Sequence, residues 1–267
     1  MFNEAISLAA AAIQHHEGLR NQILRLWDRL TRGHTRVVVF GNAGTGKSSF
    51  GRLLAGKSLG AGEYLESTEV ERYAVQGGTS CTVLVPPGQK RLRDATWSGL
   101  EELVASTRCV VVHIVDYGLD EVAPLPYTQL RTYAPERDAR ATFEAFAEEQ
   151  RRHELDPLVR LKGVQPYEGQ LRLVTVVNKQ DLWWRWRDTV RTHYAEGPYA
   201  TCIAELEAQL GPGNLHHTLW SSAPIIKNLR DGDGTILLPC SEGYDEPLRL
   251  WHEERLVTMV GEAARHA

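Results

Sequence analysis

The stretch Val37-Val38-Val39-Phe40-Gly41-Asn42-Ala43-Gly44-Thr45-Gly46-Lys47-Ser48 decides the fold. Its first four residues are β-branched or aromatic and run into a glycine, which fits a short buried strand. A helix is expected after the loop, over about 47–56. Gly41 to Ser48 satisfies G-x-x-x-x-G-K-[ST] at every fixed position, and it lies between a strand and a helix, where that motif needs to be. Glycines let the backbone wrap so that its N–H groups, with the positive end of the following helix, face phosphates. Lys47 is then placed for β and γ phosphates and the Ser48 hydroxyl for Mg²⁺. Asn42, Ala43, Gly44, Thr45, Gly46 and Ser49 complete the expected cradle.

Outward from this stretch, hydrophobic periodicity predicts strands at about 69–76 and 80–85, joined as a hairpin at Gly77-Gly78. Cys109 to Val115 reads as a continuous apolar strand ending in Asp116, and Leu173 to Val177 as another. Leu219-Trp220 closes a weaker sixth. Strands alternating with helices imply an α/β, three-layer P-loop NTPase fold: a mainly parallel sheet, one antiparallel hairpin strand, and helices on both faces. Residues 1–33 are expected as an N-terminal amphipathic helix (Phe2, Ile6, Ala9, Ile13, Ile23, Trp27, Leu30), either packed on the domain's flank or docking a partner. The P-loop domain then covers 34–267. Within it, the proline-rich span 117–170 is too long for one crossover and reads as an insertion on the sheet's rim, with a helix at 138–154. A helix closes the chain at 246–265.

A phosphate cradle does not choose a base. Asn178-Lys179-Gln180-Asp181, directly after the strand at 173–177, can choose one. The Asp181 carboxylate can accept from guanine N1–H and the exocyclic amine, a donor pair that adenine lacks, so adenine leaves a charge unpaired. Lys179 can lay its aliphatic stem along the base, and Asn178 can tie its loop to the cradle.

With both motifs in this order, the chain resembles the P-loop GTPases, specifically their Ras-like branch, over roughly Thr35 to Ala223. The family's third signature corresponds to Val85-Pro86-Pro87-Gly88-Gln89, and the run Gly88 to Arg93 followed by Trp97 looks like the Arf, Rab and Gα switch region. The resemblance implies that Gly88 takes part in nucleotide binding, that Gln89 orients the attacking water, and that Ser222-Ala223 of Ser221-Ser222-Ala223 lie under the guanine. The switch threonine that joins Mg²⁺ best matches Thr68, with Ser67 and Thr79 nearby. It further implies GTP/GDP and Mg²⁺ as cofactors and a protein partner that reads the nucleotide state. One position departs: Val85 stands where the family has the aspartate that holds Mg²⁺ through water. Asp116 is a candidate to replace it, and otherwise a solvated strand end. Gln89 argues for hydrolysis and Val85 for slow turnover or none. Three readings follow: a GTPase switch, a GTP-binding scaffold subunit, and an ATP-using protein with a coincidental base motif.

Composition limits these readings without choosing among them. The chain has 267 residues, 42% of them hydrophobic and 24% charged, which suits a globular domain with a sizeable core. Its net charge of −4 argues against a nucleic-acid-coating protein. Cys81, Cys109, Cys202 and Cys240 have no zinc-ligand spacing and read as reduced thiols. No secretion signal or apolar membrane span is visible, so a cytoplasmic protein with at most peripheral membrane contact is expected. Trp183, Trp186 and Val190 share a helical face and are expected to pack in the core, with a partner surface as the alternative. Asp231-Gly232-Asp233-Gly234 lacks later calcium ligands and reads as a hairpin turn.

Overall fold

A computed structural model describes residues 36–55, 71–74, 82–85, 90–106, 108–120 and 125–265. The expected helix over 1–33, the Gly77-Gly78 turn, and Ser67, Thr68, Thr79, Gly88 and Gln89 lie outside them.

Six strands form one sheet: β1 Arg36–Phe40, β2 Glu71–Ala74, β3 Thr82–Val85, β4 Cys109–Val115, β5 Leu171–Val177 and β6 Leu215–Ser221, in the order β2-β3-β1-β4-β5-β6. β2 runs antiparallel to β3, and every other pairing is parallel. All seven residues of β4 are buried, because helices cover both faces of the sheet's centre. Alternate side chains of β1 and β4 therefore enter two different cores. Val37, Val39, Val110, Val112 and Ile114 meet α1 (Lys47–Leu54) through Phe50 and Leu54.

Val38, Phe40, Val111 and Val115 enter the other core, against α2 (Lys90–Ser106), α3 (Ala139–His153), α4 (Asp156–Leu161) and three helices that follow β5: α5 (Gln180–Trp183), α6 (Arg187–Glu196) and α7 (Pro198–Leu210). A small hairpin of β7 (Leu229–Arg230) and β8 (Ile236–Leu238) precedes the closing helix α8 (Glu246–Arg265), whose Leu256, Val257 and Val260 complete the α1 side. β6 is the sheet's edge and is half-exposed along most of its length. The β7–β8 turn is built on Asp231, whose carboxylate accepts from the Asp233 and Thr235 amides and from Tyr127 N.

The span 117–170, expected as an insertion on the rim, lies between β4 and β5 and contains α3 and α4. Asp138 caps α3 by accepting from Ala141 N at 2.7 Å, and the helix then buries Phe143 and Ala147 in the core shared with β4 and β5. Leu158 and Leu161 of α4 join them. α3 lies hard against the turn after β4: at Gly118, φ 73°, a Cβ would stand 2.0 Å from the Ala147 carbonyl oxygen. Proline density signalled loops, and the amphipathic stripe within it carried the packing.

Candidate functional site

The cradle is held by close backbone approaches that exclude side chains. At Gly41, φ 150°, a Cβ would lie 2.2 Å from the Ile114 carbonyl oxygen; at Gly46, φ 93°, it would lie 2.1 Å from Asn178 Nδ2. The loop folds over its own carbonyl: Lys47 Nζ donates to Asn42 O at 2.6 Å and Thr45 Oγ1 to the same oxygen at 3.1 Å. α1 begins at Lys47 with no side-chain cap and no acidic residue in its first turn. Its leading amides and positive dipole end are therefore not offset by a carboxylate of that turn. Gly44, Gly46, Ser48 and Ser49 are half-buried, so the cradle opens to one side.

The base motif begins where β5 ends, with Asn178 N donating to Val115 O at 2.7 Å. Asn178 Nδ2 donates to Thr45 O at 2.7 Å, so the two motifs meet across 133 positions of sequence. Trp183, buried as expected, holds the far side of the same residue by donating to Asn178 O at 2.7 Å. Ser222 N donates to Val177 O and Gln180 N to Ser222 O, which lays Ser222 and Ala223 against the motif. Two buried atoms there, Asn178 Oδ1 and Ser222 Oγ, have no hydrogen-bond partner among the described residues. Such atoms cost free energy unless something polar reaches them. Together with glycines that admit no Cβ, they fit a polar planar ligand joined to phosphates.

Asp181 is 2% exposed, and its Oδ2 accepts from Lys227 N at 3.0 Å. Cys240 Sγ stands 3.9 Å from the same oxygen. Burial pushes this carboxyl up to about 6, against the opposing pull of the Lys227 amide and the Lys179 charge. Sequence reasoning missed Lys227 and Cys240, because a backbone amide and a lone thiol carry no motif.

Lys179 is in the left-handed region, φ 56°, and its ammonium is anchored. It pairs with Asp116 Oδ2 at 2.8 Å and donates to Leu119 O. Asp116 is thus not a solvated strand end: it is fully buried, and the ion pair the structure records for it is with the base motif. Behind it stand Asp120 and Glu154, both buried. Burial and the neighbouring Asp116 raise Asp120 well above the usual carboxylate range, and the same two causes push Glu154 to about 7. Nothing local in the sequence marked Glu154, which follows Arg151-Arg152-His153 at the end of the expected helix.

Of the three expected metal ligands, Ser48 sits in the first turn of α1, Asp116 is paired with Lys179, and Thr68 lies outside the described residues. Among the described residues no group of three or more His, Cys, Asp or Glu side chains is arranged to hold a metal ion. Val85 ends β3 opposite Glu71.

No protein-family model and no curated protein sequence matches the chain. Among solved structures the chain is similar to Toc33 from Arabidopsis thaliana in complex with Mg²⁺ and GMPPNP, with a TM-score of 0.50 and 11% identity over 93% of this chain and 92% of that one. It is also similar to the GTP-bound signal recognition particle receptor SRb in complex with SRX from Chaetomium thermophilum, at TM-score 0.39 and 12% identity over 85% and 97% of the two chains. NFeoB from S. thermophilus bound to GDP·AlF4⁻ matches at 0.40 and 12%, over 87% and 64%. At such identities the likeness to Toc33 is one of fold alone: a three-layer α/β architecture with a mainly parallel sheet and one antiparallel hairpin strand.

Proposed function

We propose that this protein binds guanine nucleotides with Mg²⁺ and acts as a slow GTPase switch read by a protein partner. The observation that carries the reading is the contact between Asn178 and Thr45, with Gly46 pressed against it, which makes one site of a phosphate-type and a base-type loop. The amides of Gly41 to Gly46 and Lys47 hold the phosphates, with Ser48 and Ser49 at the head of the helix. Ser48, and Thr68 on nucleotide binding, ligate Mg²⁺, which when bound offsets charge on the β and γ phosphates. Asp181 accepts from the guanine edge, Ser222 and Ala223 lie beneath it, and Lys179 presents its stem to the ring. Gln89 orients the attacking water, with Gly88 beside it.

A second reading is a GTP-binding scaffold subunit with little hydrolysis of its own. Two observations favour it: the family's acid is replaced by Val85, and the candidate replacement, Asp116, pairs with Lys179.

Titration of GTP, GDP and ATP by calorimetry, with and without Mg²⁺, tests the shared premise. GTP and GDP should bind at least about 100-fold more tightly than ATP, because a site built to accept from two donors rejects a base without them. Preference for ATP sinks both readings. Phosphate release by wild type against Gln89→Leu then separates switch from scaffold.

The same geometry sets a pH dependence. Only ionised Asp181 accepts from both guanine donors, and its carboxyl lies at about 6, above the ordinary 3.8. GTP affinity should therefore be level above pH 7 and fall towards tenfold per unit as pH drops below 6. GTP phosphates also titrate near there, so the measured quantity is the difference between the wild-type profile and that of Asp181→Asn. Identical profiles would remove Asp181 from the base site.

A further inference from the structure

Lys179 holds an unusual position for a surface-loop lysine. Its ammonium meets Asp116 Oδ2 and the Leu119 carbonyl, and both come from one short turn after β4. That turn is itself clamped from behind. Glu154 is 2% exposed; its Oε1 accepts from Asp116 N at 3.1 Å and Gly118 N at 2.9 Å, and its Oε2 accepts from the Tyr194 hydroxyl at 2.7 Å. The Tyr194 oxygen in turn accepts from Tyr117 N at 2.9 Å. Three successive amides, 116 to 118, are thus fixed by two side chains from α6 and the end of α3.

The clamp holds a backbone that the residues alone disfavour. Tyr117 has φ 62° and Lys179 φ 56°, two of the three non-glycine residues with positive φ among the described residues. A bulky residue in that region costs about 1 kcal/mol or more and persists only where its surroundings over-determine it. Both strained residues belong to this network. A buried carboxylate with three donors and a fully buried tyrosine are an expensive way to hold the turn that places Lys179.

We infer that Glu154 and Tyr194 are positioning residues for Lys179, so that guanine-nucleotide affinity is set from the α3 end and α6, through the Asp116–Leu119 turn. The inference rests on the guanine-nucleotide reading above and adds the groups that hold the base-reading lysine in register. They touch neither base nor phosphate; they act through Lys179. Releasing the turn frees the ammonium, and the lysine stem loses its fixed path along the base, whereas the cradle, reached from β1 and α1, keeps its shape.

The test uses Glu154→Gln and Tyr194→Phe, each nearly isosteric, against wild type. Two probes are titrated by calorimetry: GDP, which uses both motifs, and inorganic tripolyphosphate, which uses the cradle alone. Both variants should lose about tenfold in GDP affinity, the scale of one lost hydrogen bond to a charged group, with tripolyphosphate affinity unchanged. Either variant in a Lys179→Met background should cause no further loss, because the lysine through which they act is gone. A third measurement needs no nucleotide: acylation of Lys179 by an N-hydroxysuccinimide ester, followed by mass spectrometry, should be slow in wild type and about tenfold faster in both variants. GDP affinity unchanged in a folded variant overturns the inference. So does an equal fall for GDP and tripolyphosphate, which marks a merely structural role. If wild type binds no GDP, the guanine reading fails, and the acylation rates still decide whether the clamp holds Lys179. Should Glu154→Gln not fold, Tyr194→Phe carries every arm.

Discussion

Asparagine at position 181 should weaken GTP binding by about 100-fold or more and leave ATP binding where it was. The buried carboxylate offers acceptors on both oxygens, one of which already takes the Lys227 amide. An asparagine that keeps its oxygen on Lys227 turns its NH₂ towards the guanine edge, setting donor against donor. Hydrogen bonds to charged groups contribute about 1.5–3 kcal/mol, and losing one while creating an opposed pair accounts for a hundredfold at about 1.4 kcal/mol per decade. Unfolding does not explain such a loss. Burial raises this carboxyl from 3.8 to about 6, so its folded-state contribution to stability is lost as pH rises between those values, and an uncharged amide removes that cost at neutral pH. The variant should therefore melt at or above the wild-type temperature. Competition against a fluorescent guanine nucleotide measures the affinity and a thermal melt the stability; GTP bound equally well by both proteins would dismiss the base assignment.

Truncating Phe143 to alanine should cost about 3–5 kcal/mol of folding stability, which for a domain of this size lowers the melting temperature by roughly 10 °C. The side chain is 1% exposed and belongs to the core that joins α3 to β4 and β5. Its ring lies 6.0 Å from that of Phe146, and a cavity there cannot close by moving a loop, because a strand and a helix bound it. One position on, Glu144 is exposed and paired with Arg140, so Glu144→Ala should stay within about 0.5 kcal/mol. A cost below about 1 kcal/mol for Phe143→Ala would show that this ring carries little of the core packing. Urea unfolding of the two variants decides it.

The contrast between these two predictions tracks how much each feature depends on near neighbours in sequence. Strand β1, the cradle and α1 are one continuous piece, so β-branched residues, glycines and the following helix could be read together. The base motif was as legible, since it too follows a buried strand directly. What α3 packs against was not legible, because its stripe fits a rim helix or a crossover equally well until β5 is placed beside β4. The carboxylate after β4 shows the same limit. Asp116 reads as a metal-orienting acid or a solvated end, and its partner, Lys179, lies on another strand end that parallel pairing brings alongside.

By itself, then, the sequence determined the Gly41–Ser48 and Asn178–Asp181 motifs, the alternation of strands and helices, and the order in which they occur, since each rests on residues within a few positions of one another. The tie from Asn178 to the cradle was expected; tertiary structure alone decided that it lands on the Thr45 carbonyl, that Asp181 is buried against Lys227, and that Glu154 and Tyr194 stand behind the turn that holds Lys179. Those contacts join groups tens of residues apart, and their energy depends on burial. A charged or polar side chain has no fixed role until the sheet has closed around it, removed its water and left it the few partners that remain.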